Sequence, residues 1–130
     1  AEGLGGIPGL DPIDRDPRVT RWGFYFWNFH FRQEEFEGVS RDVFIQAAAA
    51  EGVPVSVGAH GKCIYKNPVF QTGDGTMPSY TDVVCPVAED VSVNQSLSMS
   101  HRLFLGDRSD MDLILTAFRK IRENAGELKA

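Results

Sequence analysis

The chain has 130 residues, a formal net charge of −5 and 13 Lys and Arg scattered along its length. One hydrophobic core fits that size without disulfide or metal staples. The charge balance disfavours a nucleic-acid or anionic-membrane partner. No apolar run approaches the roughly 20 residues of a membrane span, and the start lacks a basic, then apolar, signal. Two cysteines, Cys63 and Cys85, make no framework, so a reduced, cytoplasmic setting is expected.

In chain order, residues 1–18 are rich in Gly, Pro and Asp and read as a linker or arm from a larger protein whose N-terminal part is missing. Residues 19–125 read as the folded unit and 126–130 as a fraying tail. Trp22 to Arg32 predicts a strand, with Tyr25, Trp27, Phe29 and Phe31 on one face. Its other face carries Trp22, Phe24 and Phe26, then Asn28, His30 and Arg32. The first half is apolar on both sides, so each side needs a cover. Glu34 to Gly38 reads as an acidic loop.

Ser40 caps a helix that stops at Gly52, with Val43, Phe44, Ala47, Ala48 and Ala50 toward the core. Val53, Val55 and Val57 predict a strand, with Pro54 at its start or on an edge. A polar loop follows, carrying His60, Lys62, Tyr65, Lys66 and Asn67. Residues 71–80 read as a turn-rich loop. Pro86 opens a short helix, and Leu97, Met99, His101 and Leu103 alternate with polar residues as a further strand. Ser109 to Asp112 reads as a capping box for a last helix striped by Met111, Ile114, Leu115, Phe118 and Ile121. The fold class is α+β: a small antiparallel or mixed sheet of about three strands, two longer helices and a short one.

The chemistry is thinner. His60 and Cys63 lie three apart, but with His30, Cys85 and His101 they match no zinc spacing, so no metal site is assigned. No phosphate loop, dinucleotide fingerprint or nucleophile elbow is present. No motif supports a Cys–His nucleophilic pair. The loop lysines and Asn67 suit a phosphate or carboxylate, or simply water.

Several stretches in order resemble the C-terminal small domain of the DegT/DnrJ/StrS sugar and cyclitol aminotransferases, which have the aspartate aminotransferase (type I) fold. They are Val39-Ser40-Arg41-Asp42, Ala50-Glu51-Gly52-Val53-Pro54-Val55 and Ile64-Tyr65-Lys66-Asn67-Pro68-Val69-Phe70, then Cys85-Pro86-Val87-Ala88-Glu89, Leu103-Phe104-Leu105-Gly106-Asp107 and Ala117-Phe118-Arg119-Lys120-Ile121. The resemblance implies a parent transaminase that uses pyridoxal phosphate, works as a homodimer, and aminates a small keto-sugar or cyclitol ketone. The cofactor's lysine would lie in the missing large domain. None of Lys62, Lys66, Lys120 and Lys129 matches its motif, so this part carries no catalytic residue and holds no cofactor alone. By the same resemblance His60, Lys62, Tyr65, Lys66, Asn67 and His101 approach the substrate, although His60 departs from the aromatic residue of the sugar branch. The alternatives are a stand-alone small-molecule-binding or regulatory α+β module, and a structural dimerisation module.

Overall fold

The computed structural model describes residues 2–58, 61–71 and 78–129. In chain order the elements are α1 (Glu2–Gly5), β1 (Leu10–Pro12), β2 (Phe26–Phe31), α2 (Arg41–Ala50), β3 (Ser56–Val57), α3 (Pro86–Asp90), β4 (Ser96–Ser100) and α4 (Arg108–Glu123), with 3-10 turns and one π-turn among the connections. The four strands form one antiparallel sheet in the order β1-β2-β4-β3. The α+β class is as expected. The fourth strand is β1.

Strand alternation sorts the sheet into two unlike faces. Trp27, Phe29 and Phe31 of β2 register against Met99, Leu97 and Leu10, and all six are buried. Helices α2 and α4 cover this face. Phe44 of α2 lies with its ring centroid 5.1 Å from that of Phe31 and 5.6 Å from that of Phe118 on α4. Phe118 in turn lies 6.1 Å from Phe29. The opposite face is polar: Asn28 stands across from Ser98, and His30 across from Ser96 on one side and Asp11 on the other.

The glycine-rich first stretch is part of this core. Leu4, Ile7 and Leu10 are buried, and β1 pairs with β2. Spacing of three residues brings their side chains to one side of a short helix and the turn after it. Gly9 permits the turn: its φ is +87°, and a Cβ there would collide with Glu35 and the Phe36 ring.

Other boundaries shift for local reasons. Helix α2 begins where expected, with Ser40 Oγ accepting from the Val43 N–H at 3.3 Å. Phe44 and Ala48 are its buried residues, and Ala50 is exposed. The strand expected over 53–57 is only Ser56–Val57, although Val53 and Val55 are buried. Strand β4 ends at Ser100, so His101 and Leu103 fall in a 3-10 turn.

The cap of α4 is Asp107, two residues before the box expected at Ser109. Asp107 Oδ1 accepts from the Ser109 and Asp110 N–H groups at 2.7 and 3.2 Å, and Asp110 accepts from the Asp107 N–H at 3.0 Å. Hydroxyl donation from Ser109, then the backbone N–H bonds, hold the Asp107 carboxyl below its ordinary value. The tail is ordered as a 3-10 turn over Ala125–Lys129, with Ala125 fully buried.

Because Phe44 joins both helices to the sheet, Phe44→Ala should destabilise the chain by about 3–5 kcal/mol, the usual range for deleting a buried Phe side chain. Urea unfolding followed by circular dichroism measures this. A loss under about 1 kcal/mol would mean that the ring is not central to the core.

Candidate functional site

The polar face of the sheet floors a cleft of about 260 Å³, whose lining includes Asn28, His30, Lys62, Ser92, Ser96 and Ile13. It is closed above by Gly58, Gly61 and Lys62 after β3 and by a widened π-turn over Val91–Gln95. Arg41, in the first turn of α2, sets the position of that turn. Its Nη1 donates to the Ser92 carbonyl at 2.8 Å, and its side chain is 11% exposed. Ser92 Oγ donates to the Glu89 carbonyl at 3.2 Å and lies 3.5 Å from Cys63 Sγ.

Inside the cleft the hydrogen bonding is incomplete. Among the described residues, Asn28 Oδ1 and His30 Nδ1 are shielded from solvent and have no partner, as does Ser98 Oγ beside Asn28. A buried polar atom without a partner is destabilising by about 1–3 kcal/mol, so native proteins rarely leave several together. Asn28 and His30 were legible in the sequence as polar positions on the strand's second face. The hydroxyls of Ser96 and Ser98 followed the same alternation. What the sequence did not give was that β2 and β4 would be neighbours.

The expected site residues divide into separate settings. Lys62 stands at the cleft, exposed. Tyr65 and Lys66 turn instead to α3: the Tyr65 hydroxyl donates to Glu89, which also accepts from the Cys85 N–H at 3.2 Å and pairs with Lys66 Nζ at 3.4 Å. Asn67 caps a 3-10 turn, its Oδ1 accepting from the Val69 N–H at 3.3 Å. His101 lies past the far end of β4, about 16 Å along the strand from Ser96 at 3.3 Å per residue. There its Nδ1 is 3.0 Å from the Tyr25 carbonyl oxygen. His60 lies outside the described residues. Glu89, Arg41 and Ser92 complete the surroundings; Arg41 and Glu89 lie in stretches that carry the resemblance, but nothing in the sequence marked any of the three as a site residue.

Pyridoxal phosphate, implied by the resemblance, needs a lysine in a desolvated pocket. Lys66, Lys120 and Lys129 sit at the surface beside Glu89, Glu51 and Glu37, at 3.4, 2.7 and 3.7 Å, and Lys62 is open to solvent. The described residues do not fit the cofactor's covalent anchorage. Among the described residues no three His, Cys, Asp or Glu side chains group as metal ligands. No helix among them is long and apolar enough to cross a membrane.

The Glu89 contacts form a latch between the polar loop and α3. Tyr65 donation first, then the Cys85 N–H and Lys66, hold the Glu89 carboxyl below its ordinary value. Partial burial, then the bond to Glu89, raises that of Tyr65. A depressed carboxylate stabilises fully above its unfolded value and loses that contribution as pH falls through the folded one. The latch should therefore hold at neutral pH and open in acid, below the ordinary carboxylate range. Tyr65→Phe should move the opening to higher pH, read from the NMR shifts of the Cys85 and Glu89 amides. Superimposable titrations of the two proteins would show that Tyr65 does not bind Glu89.

No protein-family model matches the chain. Curated relatives do. A protein of Streptomyces kanamyceticus named as an L-glutamine:3-amino-2,3-dideoxy-scyllo-inosose aminotransferase is 32% identical over 139 residues, covering 97% of this chain and 33% of the relative. Its namesake from Streptoalloteichus tenebrarius is 31% identical, covering 98% and 33%. The L-glutamine:2-deoxy-scyllo-inosose aminotransferase of Micromonospora echinospora is 28% identical over 134 residues, covering 98% and 31%. The chain spans about a third of the length of the relatives it matches. The chain is thus a relative of the scyllo-inosose aminotransferases along nearly its whole length, and the aminotransferase resemblance carried by its motifs is borne out.

Proposed function

We propose that this chain is the C-terminal small domain of a pyridoxal-phosphate-dependent transaminase of the DegT/DnrJ/StrS type. The parent aminates a cyclitol ketone or related keto-ring with an amino-acid donor, in the cytoplasm and as a homodimer. The observation that carries the reading is the match of 97% of the chain to 33% of a protein named as a cyclitol aminotransferase. The other two thirds of such a protein leave room for the large domain that would supply the reactive lysine.

Two structural features support the same reading. At and just before the start of β2, aromatic residues are open to solvent, with Trp22 and Phe26 each 39% and Tyr25 71% exposed. A further domain or subunit would cover them, removing apolar surface from water. The cleft with Lys62 at its edge lies on the sheet face opposite α2 and α4, where a substrate held by another domain could meet it. His60, Tyr65, Lys66, Asn67 and His101 stay in the proposal as neighbours of the substrate, with residues 1–18 as the connection to the large domain. That connection would pack on the sheet before leaving it.

In this reading the small domain binds and shapes, and the amine chemistry belongs elsewhere. The longer protein should transfer the amino group of L-glutamine to 2-deoxy-scyllo-inosose or a close analogue, measured by product formation. The 130-residue chain should transfer none. Borohydride trapping of this chain with pyridoxal phosphate should label several surface lysines at similar yield. Turnover by the 130-residue chain, one stoichiometric adduct on Lys62 or Lys66, or a longer protein inert toward every ring ketone would overturn the proposal.

A further inference from the structure

Between β3 and β4 the chain leaves the sheet at Gly58 and rejoins it at Ser96, where the Gly58 N–H donates to the Ser96 carbonyl at 3.3 Å. Among the described residues from 58 to 95 none is buried, and the apolar core passes directly from Val55 to Leu97. Ile64, Val84, Val87 and Val93 are each more than half exposed. We propose that residues 61–71 and 78–95 form a lid that opens as one unit over the polar face of the sheet while the core beneath stays folded.

Its internal ties make it a unit. Glu89 holds Tyr65, Lys66 and the Cys85 N–H together, and Cys63 Sγ lies 3.5 Å from Ser92 Oγ. The Tyr80 N–H donates to the Phe70 carbonyl at 3.2 Å, and the two rings meet edge to face with centroids 6.0 Å apart. These contacts join early and late parts of the excursion, so neither part can leave without breaking them. Toward the rest of the fold the bonding is sparser: Arg41 Nη1 donates to the Ser92 carbonyl at 2.8 Å. Segments with few buried apolar contacts open at lower cost than the core, and here no buried side chain couples the two.

The exit from β3 suits a hinge. Gly61 has φ +63°, a conformation that other residues seldom adopt, and a Cβ on Gly58 would collide with the Ser96 side chain. A few such loop positions can absorb the backbone change of an opening. Lys62, Val91 and Ser92 line the cleft from the lid, whereas Asn28 and His30 line it from β2. Opening would therefore uncover the polar floor without disturbing the register of the sheet. The motion needs neither amino transfer nor a second domain, so its failure would leave the transaminase reading standing, and the reverse.

The test is quench-flow amide hydrogen exchange of the 130-residue chain over a series of low urea concentrations. The amides of Lys66, Asn67, Tyr80 and Glu89, each bonded within the lid, should report one shared opening. Its urea dependence should be weaker than that of the Phe118 and Ile121 amides in α4, because less surface is exposed. Arg41→Ala should speed exchange of the four lid amides by about tenfold or more and leave the two α4 amides within about threefold. Three results would overturn the proposal: lid and α4 amides following one opening; Lys66 and Asn67 opening independently of Glu89; or Arg41→Ala changing both sets alike. If Arg41→Ala does not fold, exchange in the unaltered chain decides alone.

Discussion

Strand β2 has to satisfy opposite demands on its two sides, and the rest of the fold follows from how it does so. Toward the helices it presents Trp27, Phe29 and Phe31: Phe29 meets Phe118, Phe31 meets Phe44, and Trp27 stacks on Phe29. Toward the other side it presents Asn28 and His30. A strand can do this because successive side chains point to opposite faces, and a one-residue slip would put aromatic rings in the cleft and amide groups in the core. The aromatic packing therefore fixes the register that aims the polar groups. Core and cleft are two consequences of one alignment.

Much of this was legible in the sequence, and what was missed has physical causes. The helix after Ser40 and the final striped helix were plain because each carries its own periodic signal. The aromatic strand was plain too, though it is shorter than expected: Trp22, Phe24 and Tyr25 precede it. Residues 1–18 were read by their Gly, Pro and Asp content. That reading passed over Leu4, Ile7 and Leu10, three apolar residues that find a place in the core. Composition reports average flexibility, whereas three well-spaced hydrophobes are enough to dock a short segment. The capping box was misplaced by two residues because Ser109 and Asp107 are both good caps, and only backbone geometry chooses between them.

The site was less legible than the fold. Residues close in sequence, Lys62, Tyr65, Lys66 and Asn67, invited treatment as one cluster, yet they separate into a cleft edge, a latch to Glu89 and a turn cap. The residues that do converge, Asn28, His30, Ser92 and Ser96, come from β2 and from the turn and strand some 60 positions later. Alternation showed that Asn28 and His30 faced away from the core. It did not show which strand would lie beside them, since pairing depends on contacts far apart in the chain. Kinship supplies what neither could: cyclitol aminotransferases match nearly all of this chain with only a third of their own length.

Arg41 gives the arrangement a property relevant to redesign. It belongs to a helix whose Phe44 sits in the aromatic core, yet its guanidinium reaches the Ser92 carbonyl above the cleft. Roof and core are thereby mechanically joined through a single turn of helix. Diversifying the roof segment while keeping Arg41 would reshape the cleft on an unchanged frame. Altering the start of the helix would instead shift roof height and core packing together, so selection for one trait would drag the other along.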